Sequence, residues 1–208
     1  MGARLAAVVL AAGASRRMAG LGDKRRLDLR GRTVLERAIL CFLESGVVAA
    51  QDIQVVTGPG AEALAPVIAS LGAARVVNPQ PEAGMFSSVL AGLAALGPGV
   101  EGVFVLPADI PLVLPATIRR LAAAFVPGQG LAAVPTFAGR RGHPPLLDAG
   151  LVSAIREYAG PQGLRGALWA ASATRMAIET DDPGVLLDID TPEDYARALS
   201  VASQGKGA

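Results

Sequence analysis

A chain of 208 residues with 51% apolar side chains and only 4% aromatics can bury one substantial core, built from Ala, Val and Leu. That excludes an aromatic-rich β-sandwich and favours packed α/β layers. A net charge of +1 excludes nucleic-acid binding driven by bulk charge, and no apolar run approaches the roughly 18 residues of a membrane helix.

The first predicted element is a buried strand in Leu5–Leu10, apolar and too short for a helix. It breaks at Gly13 into small residues followed by Arg16, Arg17, Met18 and Lys24. Small side chains let backbone N–H groups approach phosphate oxygens, and the cations neutralise charge. Two other readings compete: an ordinary βα turn with solvated arginines, or a secretory leader with a basic start and an A-x-A site. Removing a leader would strip the first strand from an otherwise regular βα pattern.

Thr33-x-x-Glu36 is a capping box that opens a helix, with Val34, Leu35, Ala38, Ile39, Phe42 and Leu43 on one face and Ser45-Gly46 at its end. Cys41, the only cysteine, falls on the apolar side. It reads as a buried thiol, excludes intramolecular disulfides and suits the cytoplasm. A strand at 53–56 precedes a helix from about residue 60 to residue 71. The intervening Thr57–Ala63 mimics a dinucleotide fingerprint, but Pro59 supplies no N–H and no acid ends the next strand, so an ordinary turn is expected.

Residues 75–77 read as a third strand, 78–84 as a Pro-rich loop and 87–96 as a helix. A buried strand at 103–106 ends in Pro107-Ala108-Asp109-Ile110-Pro111, and Pro115 opens the next helix. Residues 131–135 form a strand that leads into a hairpin-like turn at 138–141. Helices are expected at 149–158 and 164–171, and strands at 176–179 and 185–189. Thr191 caps a last helix with Pro192 at its first position. Residues 203–208 read as a disordered tail, leaving 1–202 as one domain. Alternating strands and helices predict a three-layer α/β fold with a mostly parallel, twisted, Rossmann-like sheet.

Charge is unevenly placed: residues 1–37 carry nine Lys/Arg against three Asp/Glu, while residues 179–194 carry seven acids and no Lys or Arg. The two ends would complement each other across a site holding a phosphate and a metal; solvated faces are the plain alternative. Asp109 emerges at the carboxyl edge of a central strand, where open α/β sheets bind ligands, and either suits Mg²⁺ or simply caps the following turn. Alternation along a strand would turn Asp188 and Asp190 to one side, adding two carboxylates. Ser87 and Ser88 begin a helix and serve either as caps or as contacts to a nucleotide. The only histidine, His143, follows Arg140 and Arg141, which are either anion ligands or solvated turn residues.

Leu10-Ala11-Ala12-Gly13, then Ser15, Arg17-Met18 and a lysine, resembles the signature of nucleotidyltransferases with a GT-A-like fold. Within them the chain is most similar to the MobA/MocA group, through PADIPLV around Asp109, EAGMFSSVLAGL at 82–93, GHP at 142–144 and DIDTPEDY at 188–195. The resemblance implies an enzyme that moves a nucleoside monophosphate onto the phosphate of molybdopterin or its molybdenum form. It implies triphosphate contacts from Leu10, Ala11, Ala12, Gly13, Ser15 and Arg17, and nucleotide contacts from Gly84, Ser87 and Ser88. Lys24 would stabilise charge at the α-phosphate, Asp109 with Asp190 and Asp188 would hold Mg²⁺, and Arg140, Arg141 and His143 would meet the acceptor. Lys24 stands two residues beyond the position of the family's lysine, so Arg25 or Arg26 is an alternative. LAAG in place of LAGG, together with GMFSSV, leans towards CTP over GTP, and a molybdoenzyme is the implied partner. Other phosphorylated acceptors, a non-catalytic nucleotide-binding role and, more distantly, a nicotinamide oxidoreductase are the competing functions.

Overall fold

The computed structural model describes residues 2–13 and 20–204. Eight strands form one sheet: β1 (Leu5–Ala11), β2 (Val48–Thr57), β3 (Ala74–Val77), β4 (Gly102–Pro107), β5 (Leu131–Phe137), β6 (Arg140–Arg141), β7 (Leu146–Asp148) and β8 (Thr174–Glu179). Their order is β3-β2-β1-β4-β7-β5-β6, with β8 on β5. Neighbours β3-β2, β2-β1, β1-β4 and β5-β8 are parallel, whereas β7 runs antiparallel to β4 and β5. The fully buried β1 lies in the middle of the parallel half, so an apolar run without polar alternation is what this position requires.

Helices α1 (Val34–Leu43), α2 (Ala65–Ser70), α3 (Met85–Ala94), α4 (Pro115–Ala124), α5 (Val152–Glu157), α6 (Gly163–Ala170) and α7 (Pro192–Gln204) complete the fold. Alternate side chains of β1 feed two cores. Leu5, Ala7, Val9 and Ala11 pack with α1, α2 and α4, while Ala6, Val8 and Leu10 pack with α3, α5 and α6. A third cluster joins Leu29 and Val34 to Leu187, Ile189 and Ala198 of the C-terminal segment. Thr33 and Glu36 form the expected capping box. Cys41 is buried, and burial first, then Asp182 and Glu44, push its thiol pKa up, which leaves it inert at neutral pH.

Gly92 sets the distance between α3 and the sheet. A Cβ there would lie 2.3 Å from a methyl of Val8 and 3.0 Å from one of Val56, both fully buried and stiff at χ1. Gly92→Ala is therefore expected to destabilise the fold by about 1–3 kcal/mol through overpacking, which outweighs the roughly 1 kcal/mol that alanine gains in helix propensity. A lower urea midpoint would show it; an unchanged or higher midpoint would mean the layers can separate freely.

Two expectations need correction. Residues 185–189 are not a strand. Pro183 and the Asp182 carboxylate, which accepts from the Gly184 N–H at 2.9 Å, wind residues 183–186 into a 3-10 turn. Residues 187–190 then run extended but outside the sheet. Ser203 and Gln204, expected in the tail, belong instead to α7, where the Ser203 hydroxyl donates to the Leu199 carbonyl and accepts from Arg30; residues 205–208 of the expected tail lie outside the described residues.

Candidate active site

The parallel strands β1 and β4 end side by side, with Leu10 opposite Pro107 in register. The chain leaving β4 turns at once, its Ala108 N–H bonding the Leu10 carbonyl. This puts Asp109 just beyond the carboxyl edge, where prolines at 107 and 111 keep a helix from absorbing it. Its backbone carbonyl accepts from the Ile189 N–H at 2.8 Å, which pins the extended C-terminal segment beside it. Asp194 reinforces this: its carboxylate accepts from the N–H groups of Asp190 and Thr191, while the Thr191 hydroxyl caps the Asp194 N–H. Sequence-distant carboxylates are thus brought together by backbone hydrogen bonds.

Lys24 opens a 3-10 turn, Lys24–Arg26, capped by Asp23. Its ammonium donates to Asp109 Oδ2 at 2.8 Å, Asp190 Oδ1 at 3.0 Å and the Ile189 carbonyl at 3.0 Å. The Lys24 side chain is 12% exposed, against 24% and 35% for the two aspartates, so the cluster opens to solvent on the carboxylate side. Burial works to lower the Lys24 pKa, but hydrogen bonding and attraction from Asp109, then Asp190, outweigh it and hold it above its ordinary value. Lys24 is a permanent cation here. Arg25 turns elsewhere, to Asp23 and the Ala11 carbonyl, and ties the turn to the end of β1. Arg26 is exposed. Of the three candidate cations, Lys24 is the one that reaches the carboxylates.

Asp188 behaves differently from its expected partner. Leu187 and Ile189 are buried, so Asp188 and Asp190 do face outwards alternately even without a strand. Yet Asp190 meets Lys24, whereas Asp188 acts on His143. The His143 ring is mostly enclosed, and its Nδ1 is buried without a hydrogen-bond partner. Burial lowers its pKa, with the Val105 backbone, Asp109 and Asp188 opposing but not reversing this. The folded ring thus takes up its proton at a lower pH than the unfolded chain, which does so near 6.5. Below pH 6.5 the unfolded state therefore binds more protons, and stability falls as pH drops. Melting curves between pH 7.5 and 5 should show a loss in the wild type that His143→Gln lacks; equal slopes would refute it.

Leu10 and Ala11 lie within β1, and Ala12 and Gly13 run past its end. Ser15 and Arg17 fall outside the described residues. Helix α3 starts at Met85, two residues before the expected start, and the Ser87 N–H is bonded to the Gly84 carbonyl. Ser88 is buried, and both serine hydroxyls accept from the Asn78 amide at 2.8 and 3.0 Å. These hydroxyls hold the 78–84 loop against α3. Gly84, at φ +98°, makes the turn into that helix in a conformation L-residues resist.

Two neighbouring cavities open beside this cluster. One, of about 250 Å³, is mostly apolar and is bounded by Leu10, Met85, Val89 and Val105. The other, of about 820 Å³, is bounded by Arg140, Arg141, Arg165 and Arg175. His143, Pro145, Leu164 and Arg165 border both. The hairpin joining β5 and β6 places Arg140 and Arg141, as the turn at 138–141 predicted. Close packing holds this loop in place: a Cβ on Gly142 would lie 2.5 Å from the Val185 carbonyl oxygen, and the His143 N–H bonds that carbonyl. Sequence reading missed Arg165 and Arg175, which sit singly on a helix and a strand and carry no motif.

Residues 7–175 match the model of the MobA-like NTP transferase domain. The chain belongs to that family. It is 35% identical to nicotine blue oxidoreductase of Paenarthrobacter nicotinovorans, with 92% of this chain and 95% of that protein aligned. Among solved structures, a nucleotidyl transferase from Methanothermobacter thermautotrophicus superposes with a TM-score of 0.83 at 26% identity, covering 99% of this chain and all of that one. The Mycobacterium tuberculosis protein Rv0371c, solved as a manganese complex, gives 0.70 at 25% identity, covering 95% and 98%. The mostly parallel sheet with helices on both faces is thus an α/β nucleotidyltransferase fold. Among the described residues no helix is long and apolar enough to cross a membrane.

Proposed function

We propose that this family member transfers CMP from CTP to the phosphate of a molybdopterin-type acceptor, with Mg²⁺ as cofactor. The observation that carries the reading is Lys24 held between Asp109 and Asp190 at the carboxyl edge of β1 and β4. An acceptor phosphate oxygen bonds to the α-phosphorus, the bond from that phosphorus to the β-bridging oxygen breaks, and pyrophosphate leaves. The acceptor is already ionised near neutral pH, so no side chain need remove a proton. Lys24 supplies positive charge where the α-phosphate gains negative charge, and positioning supplies the rest. The end of β1 and the loop after Gly13, Arg17 included, would hold the triphosphate. Arg140, Arg141 and His143 would receive the acceptor.

Two carboxylates converging on one cation beside a backbone carbonyl form a hard-oxygen donor set, which suits a divalent ion completed by phosphate oxygens. Asp109 and Asp190 would hold it; among the described residues no group of three or more His, Cys, Asp or Glu side chains gathers to hold a metal, so Asp188 is not part of this pair. When bound, the ion would neutralise charge on the phosphates. The manganese complex of Rv0371c supports a divalent ion of this kind.

The test is pyrophosphate release with each of the four triphosphates against molybdopterin and simpler phosphate monoesters. Turnover restricted to CTP and molybdopterin supports the reading; preference for GTP or a sugar phosphate replaces its finer part. A second reading is favoured by the nearly full-length match to nicotine blue oxidoreductase. It predicts saturable spectral changes on titration with NADH, which a nucleotidyltransferase would lack. A non-catalytic partner of a molybdoenzyme would keep its effect on that enzyme in Asp109→Ala.

A further inference from the structure

The larger cavity collects guanidinium groups from separate elements: Arg140 and Arg141 from the β5–β6 hairpin, Arg165 from the first turn of α6 and Arg175 from β8. Among the described residues no acidic side chain lines it, and none of the four arginines forms an ion pair. Elsewhere Arg4 pairs with Asp52, Arg25 with Asp23, Arg32 with Glu36, Arg75 with Glu62 and Arg197 with Asp194, and the described arginines that form no ion pair, such as Arg26 and Arg119, do not gather around a common hollow. Four unpaired guanidiniums around one hollow repel each other and attract an anion. Arg175 is also oriented: its guanidinium carbon lies 5.0 Å from the centroid of Trp169, a ring left 66% exposed.

The apolar cavity adjoins the carboxylate edge through Leu10 and Pro107, whereas Arg175 lies at the far side, with His143 and Arg165 common to both. We infer that the cationic cavity binds a second anionic group of the acceptor, distinct from the phosphate that reacts, with Arg165 and Arg175 as specificity-determining residues. The acceptor class is then a molecule bearing at least two separated anionic groups. This deepens the proposed transfer reaction and rests on it for the acceptor's identity. Bidentate geometry suits guanidinium for such groups better than ammonium would.

Trp169 is the only tryptophan and stacks on Arg175, so fluorescence excited selectively at tryptophan reports on the Arg175 side of this cavity. The full chain is titrated with inorganic phosphate and with tripolyphosphate. The expected result is a saturable change that weakens about tenfold in Arg165→Ala and in Arg140→Ala, in line with loss of a charge-assisted contact, and persists in Lys24→Met. Arg175→Ala removes the stacking itself, so it is read by kinetics: KM for an acceptor with a second anionic group should rise at least tenfold, with KM for an acceptor whose phosphate monoester is its sole anionic group changed less than twofold. A fluorescence response that is absent, or unaltered by Arg165→Ala and Arg140→Ala, overturns the inference, as do equal KM changes for both acceptors. Saturable binding without pyrophosphate release from any acceptor would leave the anion site standing and remove the transfer reaction.

Discussion

Lys24→Met should lower kcat for pyrophosphate release by about 10²–10³-fold, the range for removing one preorganised group that meets developing charge. Among the described residues Lys24 is the cation that contacts both Asp109 and Asp190, and Arg25 is committed to Asp23 and Ala11. The same substitution leaves two carboxylates facing one another without their ammonium. Their demand for a cation rises, so Mn²⁺ binding without nucleotide, followed by electron paramagnetic resonance, should tighten several-fold while turnover collapses. Opposite movement of affinity and rate is what a shared cation position requires. Lys24→Arg should recover little, because a planar fork does not fit where three acceptors converge on a point charge. A Lys24→Met enzyme with near-normal kcat would remove Lys24 from the mechanism.

Asp109→Asn has the second largest expected effect, a kcat loss of about 10³-fold in a protein that still folds. The backbone carbonyl of residue 109, not its side chain, holds Ile189, so the C-terminal segment should stay docked. Asparagine keeps the shape and removes the charge that Lys24 and a divalent ion would share. Asp188→Asn is the contrast: its charge acts on His143 and not on Lys24, so a loss below about tenfold is expected for a charge acting at longer range. Kinetics at saturating metal, with melting curves as the folding control, would decide. Equal losses at 109 and 188 would contradict the division drawn between them.

Much of this architecture was legible in the chain. Apolar runs without alternation at 5–11 and 102–107 could be satisfied only by strands covered on both faces, and Thr33-x-x-Glu36 and Thr191-Pro192 marked helix starts by local hydrogen bonding alone. The motif around Asp109 and the lysine after the first loop could be singled out because strand ends and flanking prolines leave local traces. The serines at 87 and 88 show where this stops: their type suited a ligand or a cap, and only the position of Asn78 turned their hydroxyls inwards.

What the residues determined by themselves was the set of local elements and the kinds of charge placed at their ends, because capping, turn chemistry and hydrophobic period act within a few residues. Which charges meet was decided by tertiary structure alone. Lys24 finds Asp190 across 166 positions through an Ile189 hydrogen bond to the Asp109 backbone, and Arg140, Arg165 and Arg175 share a cavity because β5, β8 and α6 pack together. Coulomb forces and burial depend on distance in space, and distance in space depends on how the sheet brings its strand ends together.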